Sequence, residues 1–332
     1  MRYPVIAAGF CALAALSGGV AVAETPVLTV LTYDSFVADW GPGPQVKAAF
    51  EAECGCELRL LGAGDGAALL ARLRLEGGRG EADVVLGLDT NLTAAAADTG
   101  LFAPHGLRAD FDLPVAWDDP LFLPYDWSWF AFVHDTARLP DPPSSLAALA
   151  ASDIPVVIQD PRSSTPGLGL LMWVEAVHGE GAVAVWEDLA DNIVTVTPGW
   201  SEAYGLFLNG EAGMVLSYTT SPAYHIIAEG DDTKAAAIFD EGHYMQVEVA
   251  GMLAASRQPE LAARFLEFML SDAFQSVIPE TNWMYPAVTP EGGLPEGFAA
   301  LPVPQVSHLF GAEEAQARRD PALEVWLRVL SR

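Results

Sequence analysis

The chain is poor in positive charge. Sixteen Lys and Arg stand against 44 Asp and Glu in 332 residues, for a formal net charge of −28. Such a surface repels nucleic acid and anionic lipid and attracts cations, so no nucleic-acid partner is expected. The bulk charge itself reads as solubility or adaptation to salt and marks no site. Cysteine is also scarce: Cys11, Cys54 and Cys56 are all there is. The six histidines show no metal-ligand spacing, so no metal site is expected. No Ser-His-Asp order and no paired catalytic carboxylates stand out, so the chain is expected to bind and not to catalyse. Disorder does not fit, because half the residues are hydrophobic and only 18% are charged. The length suffices for two lobes with cores of their own.

Long apolar runs are confined to the start. Residues 1–23 read as an export signal: Arg2, the run "VIAAGFCALAALSGGVAV", and "AVA" at 21–23 before Glu24. Cleavage is expected after Ala23. Cys11 follows Phe10, a poor setting for lipid attachment, so removal is expected and not anchoring. No later segment reads as a membrane span. Cys54 and Cys56 form Cys-x-Cys in "AECGCEL". An exported chain permits a disulfide, but one this short closes a small, strained ring; free thiols and a strained bridge both stay open.

What is present is an alternation of strands and helices. "VLTVLTY", "CELRLL" and "ADVVLGLD" are β-branched or apolar runs, separated by the helical patterns "QVKAAFEAE" and "DGAALLARLRLEGG". That order predicts a parallel α/β sheet. "YDWSWFAFVHD" is a long aromatic strand, after which the pattern restarts, and "HYMQVEVAGMLAAS" is a second long strand. "PELAARFLEFML" predicts an amphipathic helix with Leu261, Phe265 and Met269 on the face of Leu266 and Leu270; a terminal helix starts near Ala312. The expected division is 24–125 as the first part of lobe 1, 126–245 as lobe 2, and 246–332 as the rest of lobe 1 with the C-terminal helices. Ligands of such sheets sit beyond the carboxyl ends of strands, which singles out Tyr33–Pro44, Gly62–Gly66 and Leu88–Asn91.

Between Thr195 and His225 lie one Trp, three Tyr, many hydroxyls and no Lys or Arg. Trp200 precedes Ser201, a plausible N-cap, so it is either a staple toward Tyr204 or a cleft residue. Tyr218 ends "GMVLSY", and "TTSPAY" adds hydroxyls and Tyr224. Several aromatics at strand ends suggest a surface that holds something flat. Ser163, Ser164 and Thr165 precede Pro166 at a helix start, which serves either capping or anion binding. Asp65-Gly66 resembles a phosphate loop only weakly and reads first as a cap. Trp283 falls in the loop "TNWMYPA".

The blocks "LTYDSFVADWGPGP", "DPRSSTPGLGLL", "GWSEAYGLFLNGE", "LSYTTSPAYH" and "NWMYPA" resemble, in this order, the periplasmic thiamine-binding proteins of bacterial thiamine ABC importers. The resemblance implies a type II periplasmic-binding fold: two α/β lobes joined by two crossing strands around a cleft. It also implies a periplasmic location, thiamine and its mono- and diphosphate as ligands, a membrane permease as partner, no membrane anchor and no cofactor. The family's binding positions fall on Asp65, Gly66, Ser164, Thr165, Trp200, Tyr218, Thr219, Thr220 and Ser221. Tyr33, Trp40, Tyr224 and Trp283 also match cleft positions. The loop before Asp65 departs from the family pattern, reading "LGAG". Two other functions remain on related folds. One is thiamine cleavage of the thiaminase I type through a cysteine, for which only Cys54 and Cys56 remain in an acidic setting. The other is ferric-ion binding, which favours adjacent tyrosines, whereas Tyr218 and Tyr224 are separated.

Overall fold

The computed structural model describes residues 25–330, so the export signal lies outside the described residues. Three short apolar strands open the chain: β1 (Val27–Thr32), β2 (Glu57–Gly62) and β3 (Val84–Asp89). β1 pairs in parallel with both others. α1 (Gly43–Cys54) and α2 (Gly66–Glu76) make the crossovers. Every residue of β3 is buried, as expected for a parallel strand covered on both faces. The long strand β4 (Leu123–Asp135) leads to β5 (Val156–Gln159), α3 (Thr165–His178), α4 (Ala182–Leu189), β6 (Ile193–Thr197), α5 (Trp200–Leu208) and β7 (Met214–Tyr218). β5 pairs in parallel with β6 and β7. The second long strand, β8 (His243–Leu253), returns to the first half, followed by α6 (Pro259–Phe268) and α7 (Ala312–Leu330).

The main sheet runs β2-β1-β3-β8-β4-β7-β5-β6. β4 and β8 are its antiparallel middle. Met245–Ala250 of β8 pair with the first part of β4, while Phe130–His134 of β4 pair with β7. One strand therefore belongs to both halves. β8 likewise pairs with β3 on its other side.

The helices pack as their patterns predict. Leu261, Phe265, Leu266 and Met269 are buried, and Phe50 of α1 meets Phe265 edge-on with ring centroids 5.0 Å apart. In α3 every residue from Thr165 to Val174 is buried, between the sheet and α7. The stretch Thr165–Leu189 is long and apolar enough to cross a membrane. It is two helices parted at Gly179, whose φ of 50° ends α3, and its first half is core. Cys54 and Cys56 form a disulfide at the end of α1, around Gly55 in the left-handed region at φ 64°.

Two helical glycines separate packing from backbone propensity. A Cβ on Gly169 of α3 would lie 2.1 Å from the buried Phe130 ring, whereas one on Gly205 of α5 meets nothing within 4 Å. Alanine gains about 1 kcal/mol over glycine in a helix, and overpacking costs about 1–3 kcal/mol. Gly169→Ala should lower the urea midpoint, and Gly205→Ala should raise it by the equivalent of about 0.5–1 kcal/mol. Equal shifts would show that Phe130 yields freely.

Candidate functional site

A cavity of about 460 Å³ opens between the halves, beyond the carboxyl ends of β1, β2, β6 and β7. Tyr33, Ser35 and Trp40 line it from the segment after β1, and Asp65 from the turn after β2. Trp200, Ser201, Tyr204 and Leu208 come from α5, and Tyr218, Ser221 and Tyr224 from the end of β7 onward. Thr281, Asn282, Trp283 and Met284 come from the segment that leads into Tyr285–Pro286, which pairs with β4; β8 contributes Glu248, and Pro166 completes the lining. No Lys, Arg or His is among these residues. The third loop singled out, Leu88–Asn91, does not reach the cavity. Asn91 is buried, and its side-chain oxygen accepts from Tyr244 at 2.7 Å.

Trp200 is the first residue of α5, with Gly199 at the N-cap, so Ser201 is not the cap. The contact with Tyr204 exists, but as a stack one turn along the same helix, 4.9 Å between centroids at 26°. The indole Nε1 donates to Ser217 Oγ at 2.7 Å, and Ser217 Oγ lies 2.6 Å from Ser221 Oγ. This chain of hydroxyls fixes the ring plane. Trp40 is half-exposed (54%), with its ring 6.2 Å from that of Trp200. It stands on the rim. Tyr224 and Trp283 meet edge-on at 5.3 Å. Trp283 has φ 57°, a left-handed conformation unusual for a bulky side chain and one that clusters at ligand sites.

The halves touch beside the cavity. Asp65 caps α2 by accepting from the Gly66 amide at 2.8 Å, and its other oxygen accepts from Ser164 Oγ at 2.8 Å. Ala68 N donates to Ser163 O at 3.1 Å. Ser164 stands at the N-cap of α3, yet its hydroxyl does not cap that helix; it serves Asp65. A Cβ on Gly66 would lie 2.2 Å from Thr165 Oγ1, so only glycine allows this approach. Gly66, Ser164 and Thr165 are thus brought to Asp65 but sit behind the cavity wall. Thr219 and Thr220 turn away from it as well. Both are fully buried, with hydroxyls 3.3 and 3.0 Å from Ser128 Oγ.

The profile of the bacterial extracellular solute-binding protein family matches residues 39–276. The chain belongs to that family. It is 56% identical over 310 residues to the thiamine-binding periplasmic protein of Escherichia coli (strain K12), covering 92% of this chain and 94% of that one. It is 49% identical over 308 residues to the thiamine-binding periplasmic protein of Brucella abortus biovar 1 (strain 9-941), covering 92% of each. A solved structure described as a periplasmic thiamin binding protein superposes with a TM-score of 0.91 at 56% identity, over 93% of this chain and 97% of that chain. The fold is the type II periplasmic-binding one.

Sequence reasoning missed the acidic floor of this solute-binding protein. Glu248 accepts from Tyr33 at 3.1 Å and from the Tyr125 hydroxyl. Directly opposite it in the β4–β8 register is Asp126, which accepts from Asn282 Nδ2 at 2.6 Å. Burial pushes the Glu248 carboxyl up to about 8; the tyrosine hydroxyls oppose the rise, and Asp65 and Asp89 add to it. Burial and then Glu248 hold Asp126 well above the carboxylate range, and burial lifts Asp89 to about 7. Burial also raises Asp65, against the hydrogen bonds from Ser164 and Gly66. The signal was present as Gln246 and Glu248, two polar residues on one face within the apolar run of a long strand.

These acids set a pH dependence of stability. Asp89, Asp126 and Glu248 are raised when folded, so their contribution is full below the unfolded carboxyl range and is lost as pH rises through the folded values, about 7 for Asp89 and about 8 for Glu248. His243 acts oppositely: burial lowers it from 6.5 to about 4, so its contribution is lost as pH falls through that span. Above about pH 6.5 only the acids act, so the melting temperature of the ligand-free protein should fall toward pH 9. Glu248→Gln should flatten that fall; an unchanged slope in the variant would remove Glu248 from the account.

Proposed function

We propose that the protein captures thiamine in the periplasm and delivers it to the membrane permease of an ABC importer. One observation carries this reading: seven aromatic side chains and two carboxyls line the cavity, with no basic side chain among them. Thiamine presents a flat aminopyrimidine, a permanently cationic thiazolium and a hydroxyethyl arm. Aromatic faces attract a desolvated cation through the ring quadrupole and stack on a flat heterocycle. Its kinship to proteins named for thiamine binding agrees.

The proposed ligand set is Asp65, Gly66, Ser164, Thr165, Trp200, Tyr218 and Ser221, with Tyr33, Trp40, Tyr224 and Trp283 completing the aromatic walls; Thr219 and Thr220, the remaining positions of the family set, back Tyr218 and Ser221 from behind the wall through Ser128. Asp65 takes a hydrogen bond from the pyrimidine amino group. Ser164, Thr165 and the amides at the start of α3 hold the hydroxyl or a phosphate, which makes the mono- and diphosphate further ligands. The lobes are taken as 24–125 with 246–332, and 126–245. The change of β4 partners at Trp129/Phe130 lies close to the first boundary, while α7 also leans on α3 and α4 of the second lobe. Cleavage after Ala23 releases the chain into the periplasm.

The enzyme alternative is less favoured because Cys54 and Cys56 are bonded to each other and line no part of the cavity. The ferric alternative is less favoured because relatives 56% and 49% identical to this chain are named for thiamine binding.

Calorimetry on ligand-stripped protein tests the reading: thiamine, its monophosphate and its diphosphate should bind, and absence of heat with all three overturns it. A desolvated cation–π contact contributes about 2 kcal/mol, so Trp200→Ala should weaken thiamine at least about thirtyfold, stacking area being lost as well. If an uncharged analogue of the thiazolium is weakened equally, the ring contributes area alone. Replacing Ser164 and Thr165 together by alanine should weaken the monophosphate more than thiamine, by up to about 1.5–3 kcal/mol for each charge-assisted bond lost. Equal losses would assign the pair to the Asp65 contact alone.

A further inference from the structure

Of the two carboxyls on the cavity wall, Asp65 is already engaged through both oxygens, by the Gly66 amide and the Ser164 hydroxyl. Glu248 is 6% exposed and reaches the cavity from the middle of β8. Its cross-strand partner Asp126 is fully buried; Oδ2 accepts from Asn282, and Oδ1 has no donor among the described residues. Two carboxylates face to face on adjacent strands repel, and a buried carboxylate oxygen without a donor is costly. A proton on each carboxyl relieves both.

We propose that Glu248 is the residue that reads the ligand's charge: in the empty cavity it is a neutral acid paired with Asp126, and on binding it ionises against the cationic ring. The released proton goes to solvent. Asp126 keeps its own proton and donates from Oδ1 to the new Glu248 carboxylate, so the buried partner never stands charged and unpaired. The Tyr33 and Tyr125 hydroxyls, already donating to Glu248 Oε2, stabilise the same anion. The empty site thus avoids a bare buried charge, and the occupied site holds an ion pair with a cation that cannot lose its charge by deprotonation.

The groups around Glu248 are acids or neutral. Tyr33 faces it from the end of β1, Tyr125 and Asp126 from β4, Asn282 from the short helix Ile278–Thr281 and its end, and Tyr218 from β7. Asp65 and Asp89 act on it from the ends of β2 and β3. Among the described residues no basic side chain lines the cavity to supply a competing counter-charge. Burial raises the Glu248 carboxyl to about 8, which agrees with a proton held there at neutral pH.

The inference rests on the thiamine reading and is tested with unphosphorylated thiamine, which brings no phosphate proton. Calorimetry at pH 7 in two buffers of different ionisation enthalpy counts protons. The parent should release about one proton per thiamine bound, and affinity should rise roughly tenfold per pH unit until about pH 8 and then level. An uncharged-ring analogue should release none. Glu248→Gln, which retains an acceptor for the two tyrosines, should lose the proton release and bind thiamine at least about tenfold more weakly at pH 8, with the uncharged analogue undiminished. Because the parent alone gives the proton count, the test stands even if the variant folds poorly. Binding by the parent without proton release, equal release with the uncharged analogue, or undiminished release in the variant overturns this inference and leaves the thiamine reading intact. Failure of thiamine to bind the parent overturns that reading and this inference with it.

Discussion

The antiparallel pairing of β4 with β8 is the interaction on which the structure depends. Both parallel halves hang from it, β1–β3 on one side and β5–β7 on the other. The same ribbon carries a polar row on one face: Ser128 opposite Gln246, and Asp126 opposite Glu248. In a sheet this deeply buried such side chains persist only when each finds a partner. Here the partners come from the elements that shape the cavity. Tyr218 donates to Gln246 at 3.3 Å, Thr219 and Thr220 meet Ser128, and Asn282 donates to Asp126. Thr219 and Thr220, which do not face the cavity, still tie the end of β7 to the crossing strands. They hold Tyr218 and Ser221 in place from behind.

The local pattern carried the architecture well. Continuous apolar runs such as Val84–Leu88 can lie only inside a sheet covered on both faces, and the spacing of Leu261, Phe265 and Met269 admits one helix face. The aromatic walls were legible for a related reason: Trp200, Tyr218 and Tyr224 follow strand ends, where a parallel sheet leaves its crevice. What stayed hidden is whatever depends on a distant partner. Ser164 stands where a cap belongs, and only the meeting of α2 with α3 directs its hydroxyl to Asp65. Asp126 and Glu248 sit in separate long strands, and their confrontation is a fact of register. Ser201 read as the N-cap of α5 because Gly199, which holds that place, has no side chain to announce itself.

Trp283 shows how far the cavity governs the backbone around it. Its φ of 57° is a conformation in which glycine rests easily and an indole does not, at a cost of about 1–3 kcal/mol. The ring so placed meets Tyr224 and forms part of the wall. At this position selection for a durable fold and selection for a filled cleft therefore pull in opposite directions. A lineage that no longer needed its ligand would be free to drift toward glycine or asparagine here, and would become sturdier as it forgot its cargo.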